Sequence, residues 1–371
     1  MKRKYSKLFI LVIALFILIP AASFAQEYLQ KQRVVVLVYD DSGSMKEDRN
    51  EKPVDNWKYA SYALQSLIAL LDERDEMYVT KMSEPEKAQP IPMDAAVSEM
   101  ENIRSWEASG STPFQAIATS FEKLEDVTAE NKEAEFWFVL LTDGVVNEMS
   151  KGSYSDEKDY KKAVKQIEDT LKNYKSAIID QDGLDITPTL ITIESDLGKK
   201  ELEEIHQFKK LWKETIGGNI LTANSKEEIV ERINEVAALI SNRDPESSEG
   251  SELVLNPRFE GNTIILDSPI PLRRITVLEQ TTSGSEPRTI EGVTLNGEEH
   301  RYQLTNPLLM ETPKDQGEKE PAIRGFVTHI YGKDNSIIPA GEYRIAYNQD
   351  IASGGQQDFQ FLAEPAIDFD M

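Results

Sequence analysis

Apolar runs and amphipathic stripes alternate along the first two thirds of the chain. One run, Arg33 to Tyr39, is almost wholly apolar and contains four valines, which is typical of a strand buried on both faces of a parallel sheet. Further apolar runs alternate with helical stripes, and this order predicts a doubly wound, mostly parallel α/β domain over residues 30–241. The further strands are expected at 77–81, 135–142, 186–193 and 219–222.

Six helices are predicted from apolar residues that recur at helical spacing. The first carries Trp57, Leu64 and Leu71 on one face, which would pack on the sheet. The last follows Ser225, which is spaced to form a capping box with Glu228. The predicted helices occupy 57–71, 95–103, 113–124, 160–178, 202–211 and 225–240.

The pattern changes beyond this domain. Residues 242–252 are polar, poor in apolar side chains and punctuated by Ser, Glu, Gly and Pro, so they are expected to form a flexible linker. Strand-like runs then predict a smaller all-β, sandwich-like domain of immunoglobulin type over 253–363, which folds independently. Residues 364–371 are expected to be a connector or the start of a further module, within a longer protein. The strand-like runs lie at 253–255, 263–266, 274–278, 301–304, 323–331 and 342–347.

The first 25 residues have the organisation of an export signal. A basic segment precedes a continuous apolar run, Leu8 to Ile19, and Ser23-Phe24-Ala25 offers a small-x-small cleavage site. The run is shorter than the ~20 apolar residues that a membrane span needs. We therefore expect cleavage after Ala25 and a secreted, periplasmic or cell-surface protein with no membrane span in the mature chain. The alternative is an uncleaved N-terminal membrane anchor.

Charge and cysteine content narrow the class of protein. The formal charge is −24, and removal of a leader with four basic residues and no acid would lower it to about −28. Nucleic acid and anionic membrane surfaces are poor partners for so acidic a chain. The chain has no cysteine, so it forms no disulfides, which favours a bacterial exported protein over an animal matrix protein.

Two of the predicted strands end in acids and hydroxyls. The first is followed by Asp40, Ser42 and Ser44 in a D-x-S-x-S pattern, and the third is followed by Asp143. Thr112, in a Gly-Ser-Thr-Pro segment, adds a further hydroxyl. Hydroxyl and carboxylate oxygens without histidine or cysteine suit a hard cation, Mg²⁺ or else Mn²⁺ or Ca²⁺, and disfavour zinc. The alternative is a polar strand-to-helix turn, in which Asp, Ser and Gly are common.

These three segments, in this order, resemble the metal-ion-dependent adhesion site of von Willebrand factor A domains, and the resemblance covers roughly residues 32–241. It implies that Ser42, Ser44 and Thr112 would touch the metal directly. Asp40 and Asp143 would hold it mainly through water and through hydrogen bonds to the serines. Because the three hydroxyl ligands are neutral, they would leave much of the cation's charge uncompensated. An open coordination position on the metal would therefore favour an Asp or Glu carboxylate from a protein partner.

The expected function is therefore divalent-metal-dependent protein binding, of adhesion or envelope-interaction type, rather than catalysis. A scaffold subunit of a bacterial envelope complex would use the same site within an assembly. A haloacid-dehalogenase-like phosphatase is a more remote alternative, which Asp40 and Asp41 after an apolar strand faintly resemble. In those phosphatases the nucleophilic aspartate is followed two residues later by an acid or an equivalent residue, whereas this chain has Ser42 at that position. Trp106 is expected to be partly buried under the Thr112 loop, and Glu148 and Met149 are candidates for partner contacts on the rim.

Overall fold

The computed structural model describes residues 31–47, 52–195, 197–242, 257–282, 288–299, 302–315, 317–349, 351 and 359–366. The predicted leader, the predicted strand at 253–255 and all of the predicted linker except residue 242 lie outside the described residues. Among the helices within these ranges, none has the length and apolar content to cross a membrane.

The first unit is built on a six-stranded sheet. Its strands are β1 (Arg33–Tyr39), β2 (Glu76–Lys81), β3 (Ala88–Ile91), β4 (Glu135–Thr142), β5 (Asp185–Ile193) and β6 (Asn219–Ala223). Their order is β3-β2-β1-β4-β5-β6, and all neighbours are parallel except β2 and β3. The sequence did not predict β3, a short edge strand that contains Pro90, which an edge position tolerates.

Helices cover both faces of this sheet, so the predicted doubly wound α/β fold class is confirmed. Because side chains alternate along a strand, Val35 and Leu37 of β1 face one helical layer while Val34 and Val36 face the other. Helices α1, α2 and α6 pack on the first face, and α3, α4 and α5 pack on the second. Their bounds are α1 (Asn56–Leu70), α2 (Ala96–Arg104), α3 (Phe114–Glu130), α4 (Glu157–Tyr174), α5 (Lys199–Thr215) and α6 (Lys226–Asn242).

The second unit consists of two antiparallel sheets that enclose an apolar core. Its strands are β7 (Arg258–Glu260), β8 (Thr263–Ser268), β9 (Leu272–Thr282), β10 (Ile290–Leu295), β11 (Glu298–Glu299), β12 (Tyr302–Leu304), β13 (Leu308–Glu311), β14 (Ile323–Gly332), β15 (Gly341–Tyr347) and β16 (Phe359–Pro365). One sheet has the order β11-β10-β15-β8-β7, and the other has the order β12-β14-β9-β16 with β13 paired to β14. The predicted sandwich-like all-β domain is confirmed, whereas its immunoglobulin type stays a prediction.

The last described strand extends beyond residue 363, where the sequence predicted the end of this module. Strand β16 continues through Glu364 to Pro365, and the backbone N–H of Ala366 donates to the carbonyl of Pro271. Glu364 is buried, so residues 364–366 belong to the body of the module rather than to a connector. The reason is pairing with β9, which a sequence pattern of mixed apolar and acidic residues does not reveal.

The two units share one core. All fifteen residues of α1 are buried, although its sequence predicts only one buried face. Its other side is covered by the β module, whose Leu278, Met310 and Val327 join the apolar cluster around α1 and α6. Polar residues of α1 are also satisfied across this contact, because the side-chain amide of Gln65 bonds to the backbone of Glu311 in both directions, at 2.9 and 3.2 Å.

Candidate metal centre

The candidate site lies beside β1, the strand on whose two sides the later strands of the sheet are added. Strand β1 leads to β2 on one side and lies beside β4 on the other, so the carboxyl ends of β1 and β4 border the crevice where open α/β sheets bind ligands. In the parallel register Tyr39 pairs with Leu141, and the N–H of Asp40 donates to the carbonyl of Leu141 at 3.1 Å. The register therefore places Asp40 beside Thr142 and Asp143.

Asp40 is fully buried and held from several sides. One carboxylate oxygen accepts the backbone N–H of Ser42 at 2.9 Å. The other accepts the hydroxyl of Thr142 at 2.7 Å and the backbone N–H of Asp143 at 3.3 Å. Because both oxygens are engaged by fixed groups, the Asp40 carboxylate has one defined orientation at the base of the site.

A line of oxygens runs from this base toward the surface. After Ser42 the chain makes a short 3₁₀ turn, Gly43–Met45, which brings the hydroxyls of Ser42 and Ser44 to 3.0 Å from each other. The Ser44 hydroxyl donates to the Asp143 carboxylate at 2.9 Å. The Ser44 oxygen keeps lone pairs free to act as a ligand.

The Thr112 loop closes the third side. Gly110 has a φ of +87°, a conformation that favours glycine, and its carbonyl accepts the N–H of Gly43 at 3.3 Å. The Thr112 hydroxyl lies 3.0 Å from the Val145 carbonyl and 3.2 Å from the side-chain oxygen of Asn147, and it can donate to either. Thr112 lines the same cleft as Ser42, Ser44 and Asp143, and Asp40 is hydrogen-bonded to the backbone of Ser42 and Asp143. The five predicted residues are therefore brought together.

The electrostatics of this place suit a cation. Burial, and then the neighbouring negative charge of Asp40, raise the pKa of Asp143 well above its usual range. Within the described parts of the chain, neither carboxylate forms an ion pair with a lysine, arginine or histidine. A buried negative charge is costly unless it is paired. A divalent cation would supply that pairing, and the hydroxyl-rich donor set fits Mg²⁺, Mn²⁺ or Ca²⁺.

Neighbouring residues fix the loops rather than adding ligands. The Asp41 carboxylate accepts the backbone N–H of Ser83 at 2.8 Å and also its hydroxyl, while the Asp41 carbonyl accepts the N–H of Ser109 at 2.6 Å. Burial raises the pKa of Asp41. Trp106 is partly buried, as predicted, with its ring edge-on to Tyr39 at a centroid distance of 5.7 Å.

The two predicted rim residues both contribute to the local structure. Met149 is buried in the core, and the Glu148 carboxylate accepts the backbone N–H of Phe114 at 3.0 Å, which caps the start of α3. Met149 is therefore not exposed on the rim as the sequence suggested, whereas Glu148 is half-buried and its contact with a partner stays a prediction. Pro113 lies just before α3 rather than within its first turn.

A cleft of about 300 Å³ opens from the site. Ser42, Ser44, Thr112 and Asp143 line part of it. The polar segment that follows Asp143, at 144–156, contributes Asn147, Ser150 and Ser153, as its composition and position suggest. Sequence reasoning missed the remaining polar wall, because these residues are scattered positions without a recognisable motif. They are Asn56, Ser195, Glu201 and Glu204. Among the described residues, no group of three or more histidine, cysteine, aspartate and glutamate side chains could hold a metal without help from hydroxyls.

No model of a protein family matches the chain, and no curated protein matches it. Similar solved structures include a von Willebrand factor type A protein from Catenulispora acidiphila, the pilus adhesin SpaC from Lactobacillus rhamnosus GG and the pilus adhesin RrgA from Streptococcus pneumoniae. Their sequence identities are 15%, 11% and 10%, and their TM-scores are 0.38, 0.40 and 0.38. The similarity covers 90%, 92% and 86% of this chain, but only 63%, 44% and 62% of those chains. With TM-scores below 0.5, these likenesses carry no argument about the site.

Proposed function

We propose that the chain is an exported protein-binding module of adhesion or envelope-interaction type, which binds a partner carboxylate through a divalent metal. The observation that supports this most is the continuous line of oxygens from Ser42 through Ser44 to Asp143, with the buried Asp40 carboxylate behind it. The expected resemblance to a von Willebrand factor A domain with an adhesion-site metal rests on the same residues. The partner would be a protein that offers an Asp or Glu side chain.

The proposed ligands divide by their position. The hydroxyls of Ser42, Ser44 and Thr112 line the cleft and would hold Mg²⁺, Mn²⁺ or Ca²⁺ directly. Asp40 and Asp143 would act mainly through water and by orienting the serines. When bound, the metal would supply a positive charge with a coordination position open to the cleft. The protein supplies rigidity, since its ligands are tied to β1, to β4 and to the loop before α3.

Binding fits the site better than catalysis. A nucleophilic aspartate must reach its substrate, whereas Asp40 is fully buried and both its oxygens already accept hydrogen bonds. This favours a binding role over the haloacid-dehalogenase-like alternative. A scaffold subunit of an envelope complex would use the same metal and differ only in its partner.

Calorimetric titration of residues 26–371 with Mg²⁺ and Mn²⁺ tests the metal. The wild type should bind one ion, and the Asp40→Ala/Ser42→Ala double variant and Ser44→Ala should lose binding. Ser98→Ala is a matched control, since Ser98 lies exposed on α2 away from the cleft, and it should bind as the wild type does. Equal metal binding by all four proteins would contradict the proposal.

A further inference from the structure

The cleft has a second acidic part of its wall, on α5. Glu201 and Glu204 lie one turn apart on this helix and line the cleft together with hydroxyls of Ser150 and Ser195. The described wall of the cleft contains no lysine, arginine or histidine. A metal bound by the predicted ligands would offset the negative charge of Asp143, but it would not neutralise the carboxylates on α5.

Glu204 is the unusual member of this pair. Its side chain is only 4% exposed, and among the described residues its Oε1 atom has no hydrogen-bond partner. Its Oε2 atom lies 3.5 Å from the Ser150 hydroxyl, which is a long contact. The Glu201 carboxylate, by contrast, accepts the backbone N–H of Gly198 and thereby caps the helix.

The nearest described cation does not satisfy Glu204. The ammonium of Lys200 lies 4.0 Å from Oε1, beyond hydrogen-bond distance, and its side chain is 62% exposed. An ion pair of this kind contributes little, because water screens it and the long side chain stays free to move. A buried carboxylate oxygen without a donor is unfavourable, and a donor that carries positive charge would make the strongest hydrogen bond to it.

We infer that Glu204 forms a second subsite of the cleft, which takes the cationic side chain of a lysine or arginine from the partner. This inference rests on the proposed function and extends it: the partner segment would carry an acid for the metal and a base for Glu204. The two subsites share one cleft of about 300 Å³, at the lower end of the range for ligand sites, so two side chains rather than a folded element would enter. The strongly acidic chain also attracts a basic group from a distance.

Short peptides of the form acetyl-Asp-(Gly)n-Lys-amide, with n from zero to four, test the inference by calorimetry in saturating Mg²⁺. The matched probe carries acetyl-lysine in place of lysine. This keeps the number of residues in the peptide and removes the positive charge of the side chain. At the best spacing the lysine peptide should bind the wild type about tenfold more tightly than the acetyl-lysine peptide. Glu204→Gln should abolish this preference, and Glu203→Gln, a change at an exposed neighbour on the same helix, should keep it.

Two further measurements separate the subsite from the metal centre. Glu204→Gln should bind Mg²⁺ as the wild type does, because it removes no proposed ligand, and a loss of metal binding would overturn the inference. Lys200→Gln should increase the preference for the lysine peptide, since it removes a competing cation. Metal-dependent binding of both peptides with equal affinity would overturn the second subsite and leave the proposed function standing. If neither peptide binds the metal-loaded wild type, the proposed function fails as well.

Discussion

The guanidinium of Arg33 lies 3.8 Å from the carboxylate of Glu364, although Arg33 begins the first strand and Glu364 lies in the last described one. Both side chains are buried. Arg33 also holds Asp75 with two hydrogen bonds, at 2.6 and 2.9 Å, and the Nε atom of Arg274 lies 3.1 Å from Glu364. This buried network joins the β module to the sheet at the end of β1 opposite the candidate metal centre.

Removal of the Glu364 charge should destabilise the whole chain. Glu364→Gln would leave Arg274 buried with a weaker partner, so we expect the free energy of unfolding to fall by about 3–5 kcal/mol. Urea denaturation of the wild type and the variant would measure this. Asp267→Asn is a control, because it breaks an exposed pair with Arg258 and should cost roughly 0.5 kcal/mol or less. Similar losses in both variants would contradict a special role for the buried network.

Proteolysis should cut the chain at 242–252 without separating its two units. The polar composition of this segment favours cleavage there. The shared core around α1 then predicts that both fragments stay together, contrary to the independent module that the sequence suggested. Size-exclusion chromatography after limited digestion would show one peak that contains both fragments. Two separate, folded fragments would show that the apolar contact with α1 is weak.

How much of the structure can be predicted from the sequence depends on which part of the chain buries each residue. Strands β1 and β4 are buried on both faces, so their apolar runs identify them, and the acids that follow them indicate the candidate site. The second face of α1 could not be predicted, because Lys58, Gln65 and Ser66 are typical of a solvent-facing surface. They are buried because distant parts of the chain supply partners, such as Glu318, which lies 2.9 Å from the ammonium of Lys58. Glu204 also escaped notice, because a glutamate on an amphipathic helix is typical of a solvent-facing surface, whereas here its side chain is only 4% exposed.

Stability should fall in mild acid because of His329. Its ring nitrogens form hydrogen bonds with the Ala69 carbonyl and the Thr276 hydroxyl, each at 2.9 Å. Burial lowers the pKa of His329 from 6.5 to about 3. The folded chain thus binds this proton more weakly than the unfolded chain, so the stabilisation is complete above pH 6.5 and is lost as the pH falls toward 3.

The comparison that isolates this effect is the wild type against His329→Gln. Between pH 7.5 and 5 the wild type should lose about 2 kcal/mol more than the variant, measured by urea denaturation at both values. The difference between the proteins is needed because carboxylates with raised pKa values, such as Asp143, act in the opposite direction. Parallel pH profiles for the two proteins would show that His329 is not the titrating group.

Asp143→Asn should have opposite effects on stability and on binding. Without metal, the buried carboxylate beside Asp40 is unfavourable, so the variant should be more stable than the wild type by on the order of 1 kcal/mol. Added Mg²⁺ should raise the melting temperature of the wild type and leave that of the variant nearly unchanged. Thermal melts with chelator and with excess Mg²⁺ would show whether the wild type and the variant exchange the order of their melting temperatures. A variant that is less stable in chelator would mean that the Ser44 hydrogen bond outweighs the charge repulsion.

Thr112 provides the sharpest test of metal-dependent partner binding. Thr112→Val keeps the shape of the side chain and removes the hydroxyl, whereas Thr112→Ser keeps the hydroxyl and removes the methyl group. If the oxygen is a metal ligand, Thr112→Val should weaken binding of an acidic peptide about tenfold or more, and Thr112→Ser should retain most of it. Chelator should abolish binding in the wild type. Association should be slow at low salt, because the acidic chain repels an acidic partner until it reaches the cation. Binding that survives both chelator and Thr112→Val would place the partner elsewhere, for example on the β module, and leave the metal a structural role only.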